Sequence, residues 1–236
     1  MSDFLSHVRG RLIVSCQARA GHPLRDSAVI ARMAQAAVRG GAAAIRCGGQ
    51  GGAGDVRAVR AAVAVPVIGL TKRGQEGVYI TPTVADARAI AAAGADVVAI
   101  DGTARPRPDG AALLESVQAI HAAGALAMAD VSTVEEGRYA AAAGADVVAS
   151  TLSGYTPDSP RTDDPDLALV AGLRAALPDL AILAEGRYHT PQQAAAALAA
   201  GADAVVVGTA ITDPVWITAQ FAAGLRKPGS SGTVEA

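Results

Sequence analysis

Lysine is almost missing from this chain: of its 20 basic residues only Lys72 and Lys227 are lysine, and the rest are arginine. Arginine holds its proton too firmly to serve as a base near neutrality, so Lys72 invites a chemical explanation. Aromatics are also sparse, at 3% of 236 residues, and the charges nearly cancel at −2. Nothing in that balance calls for nucleic acid or an anionic membrane as partner, although a local phosphate site needs only a few donors. Cys16 and Cys47 are the only cysteines. That excludes a disulfide framework and a CxxC metal or redox centre, and both read as buried free thiols in strands. The four histidines, His7, His22, His121 and His189, lack metal-ligand spacing, so no metal site is expected. No apolar run reaches the 18 residues of a membrane span. The N-terminus lacks the apolar region of a signal peptide, which points to a cytoplasmic protein.

What is present is a rhythm. Short apolar runs alternate with helical patterns, and the strand candidates are Leu12–Gln17, Ala43–Cys47, Pro66–Leu70, Asp96–Asp101, Leu126–Asp130, Asp146–Thr151, Ala181–Glu185 and Ala204–Gly208. Several are continuously apolar, as parallel strands covered on both faces are. Helix starts are expected at Thr83, at Ser132 with Glu135 as a capping box, at Asp164-Pro165, at Thr190-Pro191 and at Asp213-Pro214. Gly94, Gly124, Gly144 and Gly201 suit helix ends with positive φ. AAAGADVVAI at 91–100 returns as AAAGADVVAS at 141–150 and as LAAGADAVVVG at 198–208. Each copy reads as helix end, turn and buried strand, with Asp96, Asp146 and Asp203 as structural turn residues. Eight such units predict an α/β protein, a single-domain (β/α)8 TIM barrel over 1–227, with a short helix in residues 2–10 closing its bottom. The tail, 228–236, reads as disordered.

A barrel of this kind builds its active site where the strands end. Those positions hold Gln17, Arg46, Lys72, Asp101, Asp130, Ser153, Glu185 and Gly208–Thr209. Lys72 and Glu185, after the third and seventh strands, approach the mouth from opposite sides. One can take a proton from one face of a small substrate while the other returns it to the opposite face. Lys72 then needs its pKa lowered by burial and by a neighbouring cation such as Arg46. The glycines of Glu185-Gly-Arg187 and Val207-Gly208-Thr209 follow strands seven and eight, the usual phosphate quarter of such barrels. The polar loop 153–164 can reach over the mouth with Tyr155, or can simply be solvated. Arg105 can be aimed inward by its flanking prolines.

GRLIVSCQA at 10–18, AAAIR at 42–46, VPVIGLTKR at 65–73, VYITPT at 78–83, DVVAIDGTARPRP at 96–108, LAMADVST at 126–133, ADVVASTLSGYT at 145–156, ILAEGRYHTPQQA at 182–194 and AVVVGTAITDP at 204–214 together resemble the N-acylglucosamine-6-phosphate 2-epimerase family. The resemblance implies a homodimeric (β/α)8 enzyme interconverting N-acetylmannosamine 6-phosphate and N-acetylglucosamine 6-phosphate in amino-sugar catabolism. It puts the catalytic pair at Lys72 and Glu185, and sugar contacts at Gln17, Arg46 and Asp130. Phosphate contacts, mostly backbone, fall at Gly186, Arg187, Gly208 and Thr209. The chain departs from the family pattern at Cys47-Gly-Gly-Gln50, at Gly74-Gln75 and at Tyr188-His189. In the open-chain sugar the C1 aldehyde acidifies the C2 proton, so the implied reaction requires no cofactor. Two other readings suit the same residues: a Schiff-base sugar-phosphate aldolase using Lys72, and a non-catalytic phosphosugar-binding barrel.

Overall fold

The structure is a computed structural model that describes residues 3–225; the expected tail, 228–236, lies outside the described residues. Eight strands run in chain order: β1 Leu12–Cys16, β2 Ala44–Cys47, β3 Val67–Gly69, β4 Val97–Asp101, β5 Leu126–Asp130, β6 Val147–Ala149, β7 Ala181–Glu185 and β8 Ala204–Val207. Each pairs in parallel with the next, and β8 returns to β1 through Leu12↔Val205 and Val14↔Val207, closing the barrel. The expected (β/α)8 class is therefore borne out. The helices are α1 Asp3–Val8, α2 Ser27–Arg39, α3 Gly52–Ala62, α4 Val84–Ala92, α5 Leu113–Ala122, α6 Val134–Ala142, α7 Leu167–Ala176, α8 Pro191–Ala199, α9 Thr209–Thr212 and α10 Pro214–Gly224.

Strand side chains alternate between two apolar layers. Val14, Cys16, Ile45, Cys47, Val98 and Ile182 face the helices, with both thiols buried. Ile13, Ala44, Ile68, Ala99, Met128, Ala149, Leu183 and Val206 fill the interior, closed below by Phe4, Leu5 and Val8 of α1. Small residues keep the shell close: a Cβ on Gly69 would stand 2.7 Å from Ile90 of α4 and 2.8 Å from Ala95.

The repeat acquires a mechanical meaning. Asp96 Oδ2 accepts the Val67 N–H at 2.8 Å, Asp146 Oδ2 that of Ala127 at 2.8 Å, and Asp203 Oδ2 that of Ile182 at 2.9 Å. Each aspartate thus fastens the start of the preceding strand. Arg60 of α3, His121 of α5 and Arg174 of α7 pair with them in turn. Thr83, Thr190 and Asp213 cap their helices as expected. Two caps differ. The capping box after β5 is Thr133 with Glu136, not Ser132 with Glu135, because the Ser132 hydroxyl donates to Glu136 and meets Thr156 instead. Asp166, not Asp164, caps α7, accepting the Leu169 N–H at 2.9 Å.

Candidate active site

The inward alternation continues two residues beyond the apolar interior layer, and there it turns polar. Ile13 is followed by Ser15 and Gln17, Ala44 by Arg46, Met128 by Asp130, Ala149 by Thr151, Leu183 by Glu185, and Val206 by Gly208. A cavity of about 320 Å³ opens over this ring. Gln17, Lys72 and Glu185 line it, as do Gly186, Arg187, Gly208 and Thr209.

Arg46 and Asp130 are not on its wall. They are buried against it, 1% and 0% exposed. Arg46 donates to both Asp130 oxygens, at 3.0 and 2.6 Å, and its Nη1 stands 3.0 Å from Glu185 Oε2. Burial alone would discourage the guanidinium charge, but Asp130 and Glu185 outweigh it and hold the group cationic. Thr151 donates to Asp130 at 2.7 Å and reaches Glu185 Oε2 at 3.4 Å. Burial pushes the Glu185 carboxyl up to about 7; Arg46 opposes that shift and Asp130 reinforces it. Ser150 steadies the same residue by accepting the Glu185 N–H and donating to its carbonyl.

Lys72 comes from beyond β3, which ends at Gly69. Its N–H donates to the Gly49 carbonyl at 2.8 Å, and it pairs with Ile80 in a single antiparallel bridge. Burial, then Arg46, lowers the Lys72 ammonium pKa. The site thus holds a carboxyl and an amine whose proton affinities have been brought toward each other, which suits general acid–base exchange. The glycine loop after β2 makes room for the pair. A Cβ on Gly48, at φ +116°, would overlap the Leu70 carbonyl oxygen, and one on Gly49 would crowd the Gln17 amide.

Two strand-end residues are used elsewhere. Asp101 accepts from Thr103 and Arg105, and Arg107 donates to its carbonyl; Arg105 does not line the cavity. Ser153 donates to Asp166. The Arg187 side chain holds the loop 153–164, donating to the Ser153 and Asp164 carbonyls and lying over the Tyr155 ring; Tyr155 itself lines the cavity. Sequence reasoning missed Tyr79, Thr151 and His189 on the wall. Thr151 was findable by counting two residues inward from Ala149. Tyr79 and His189 arrive on loops with no periodicity to read. His189 stacks on Trp216 at 4.6 Å, and His22 stands 3.2 Å from Asp213 at the same rim. Among the described residues no cluster of His, Cys, Asp and Glu is arranged to hold a metal.

Comparison with known proteins finds relatives over most of the chain. Residues 30–227 match the family described as "Putative N-acetylmannosamine-6-phosphate epimerase". Proteins of Corynebacterium glutamicum strain R and Cutibacterium acnes, both named "Putative N-acetylmannosamine-6-phosphate 2-epimerase", are each 49% identical to this chain. The first alignment covers 95% of this chain and 97% of the relative, the second 94% and 96%. The solved structure of the N-acetylmannosamine-6-phosphate 2-epimerase from Clostridium perfringens superposes with a TM-score of 0.90 at 42% identity, over 95% of this chain and 97% of that one. Thiamine phosphate pyrophosphorylase from Pyrococcus furiosus, at 17% identity and a TM-score of 0.61, shares the fold alone. With a family match over residues 30–227 and relatives 49% identical over 95% of its length, this chain belongs to the N-acetylmannosamine-6-phosphate epimerase family.

Proposed function

We propose that this protein interconverts N-acetylmannosamine 6-phosphate and N-acetylglucosamine 6-phosphate by moving the C2 proton between faces, as a step of amino-sugar catabolism. The observation that carries the reading is that Lys72 and Glu185 line one cavity, the pKa of each shifted first by burial and then acted on by Arg46. In one direction neutral Lys72 takes the C2 proton, and the C–H electron pair moves into the C1 aldehyde to give an enolate. The protonated Glu185 carboxyl then delivers its proton to the other face of C2. The reverse reaction exchanges the roles.

Arg46 and Asp130 act from their buried positions, setting the charge and orientation of Glu185, while Gln17 orients the sugar from the cavity wall. Backbone amides around Gly186, Arg187, Gly208 and Thr209 hold the phosphate, anchoring the substrate away from the reacting carbon. A homodimer in the cytoplasm belongs to the same reading. α10 supports the dimer: none of its residues is buried, and Phe221 is 72% exposed. No helix among the described residues is long and apolar enough to cross a membrane.

Proton NMR of N-acetylmannosamine 6-phosphate in D₂O tests the reaction. The gluco epimer should form with deuterium at C2, and its formation should fall by about 10²–10⁴-fold in Lys72→Ala and in Glu185→Ala. A Lys72 adduct trapped by borohydride would replace this reading with the aldolase. Binding without C2 exchange would replace it with a phosphosugar-binding barrel.

A further inference from the structure

Lys72 does not sit on a strand, so something else must hold it. Residues 71–73 and 79–81 form a miniature antiparallel pair: the Arg73 N–H donates to the Tyr79 carbonyl at 3.0 Å, and the Thr81 N–H to the Thr71 carbonyl at 2.7 Å. At its base is Thr81, fully buried, with φ +44°. A β-branched residue rarely takes that backbone conformation, and it persists only where the surroundings over-determine it. Here they do. The Thr81 hydroxyl donates to the Ala99 carbonyl of β4 at 2.6 Å and accepts the Thr71 N–H at 3.2 Å. One side chain therefore ties the rigid wall of the barrel to the residue immediately before Lys72.

We propose that Thr81 is the positioning residue for Lys72, holding the 71–73 segment at the height from which the amine reaches substrate. The inference rests on the epimerase reading and extends it to a residue that never meets the sugar. Lys72 is fixed on its other side by the Gly49 carbonyl, so the Thr81 hydroxyl governs the β4 side of its support alone. Glu185 is steadied independently, through Ser150 and Arg46. Loss of the Thr81 hydroxyl therefore harms one half of the reaction and spares the other.

That asymmetry is measurable, because each epimer presents its C2 proton to a different base. Exchange of the C2 proton into D₂O is followed separately from each epimer under initial-rate conditions. Lys72→Ala identifies the epimer that faces the lysine as the one whose exchange it abolishes. Thr81→Val removes the hydroxyl at nearly constant shape, and Thr81→Gly removes it while accepting the positive φ freely, should the valine variant not fold. Both should slow exchange from the lysine-facing epimer by about 10–100-fold and leave the other within about threefold. Thr81→Ser, which keeps both hydrogen bonds, should restore the wild-type ratio. Equal slowing from both epimers, or no slowing, would overturn the positioning role alone. Wild-type protein that exchanged neither epimer would overturn the epimerase reading and this role with it.

Discussion

Arg46 serves two carboxylates at once, and its removal should be more costly than loss of any single surface charge. Asp130 is fully buried and Glu185 nearly so, and both depend on the same guanidinium. Arg46→Met leaves them facing each other in a site with little solvent. The expected loss is about 3–5 kcal/mol of stability at pH 8 by urea denaturation, and a smaller loss at pH 5, where the carboxyls can take up protons. Glu185 also gives stability a definite pH slope. Its folded-state pKa, about 7, lies above its ordinary 4.5, so between these values the unfolded chain releases a proton that the folded protein keeps. Its contribution is therefore full below about 4.5 and lost as pH rises through about 7. Glu185→Gln should flatten that slope, gaining on the order of 1–3 kcal/mol over wild type at pH 8 while losing epimerisation. At this scale the proposed catalytic pair was legible, because one of only two lysines and a carboxylate ending an apolar run are conspicuous. The burial of Arg46 and Asp130 was not. A strand-end position tells which way a side chain points, but not whether it stays open to the cavity.

The aspartate fasteners make a prediction about elements. Asp203 is buried and accepts the Ile182 N–H while pairing with Arg174; Asp96 has the same geometry with its side chain 48% exposed. Asp203→Ala should therefore cost about 1–3 kcal/mol in chemical denaturation, since it strands a buried donor. Asp96→Ala should cost less, because water can reach the site. The repeat itself was plain in the sequence. Its use as a strand-to-strand fastener was not, since pairing register is a property of two segments far apart in the chain. Helix starts were readable only to within a residue or two. Ser132 and Thr133 are both capable caps, and so are Asp164 and Asp166. The choice fell to side chains elsewhere, Thr156 for the first pair and Ser153 for the second. The loop after β2 allows less freedom. Gly48→Ala would drive a Cβ into the Leu70 carbonyl, and should displace Lys72 and lower kcat even where the protein still folds.

For the molecule as a whole, the alternation of buried strands and capped helices made the barrel legible from end to end. What it did not disclose was how α10 would lie. Its sequence is largely apolar, yet no residue of it is buried; Phe221 is 72% exposed, and Leu225 just after it 84%. The proposed homodimer would cover that surface. Sedimentation velocity at micromolar concentration should return twice the 23.4 kDa of one chain, and Phe221→Asp should return a single chain with its barrel intact. The arrangement around Arg46 also bears on the direction of flux. In the proposed mechanism manno-to-gluco conversion needs one of Lys72 and Glu185 protonated, and gluco-to-manno conversion needs the other, so both run from an enzyme carrying the same single proton between the two groups. Acidity that empties or doubly fills that pair slows both conversions together. The protein thus sets how quickly the two sugars equilibrate, and only their supply and removal can set which way the traffic runs.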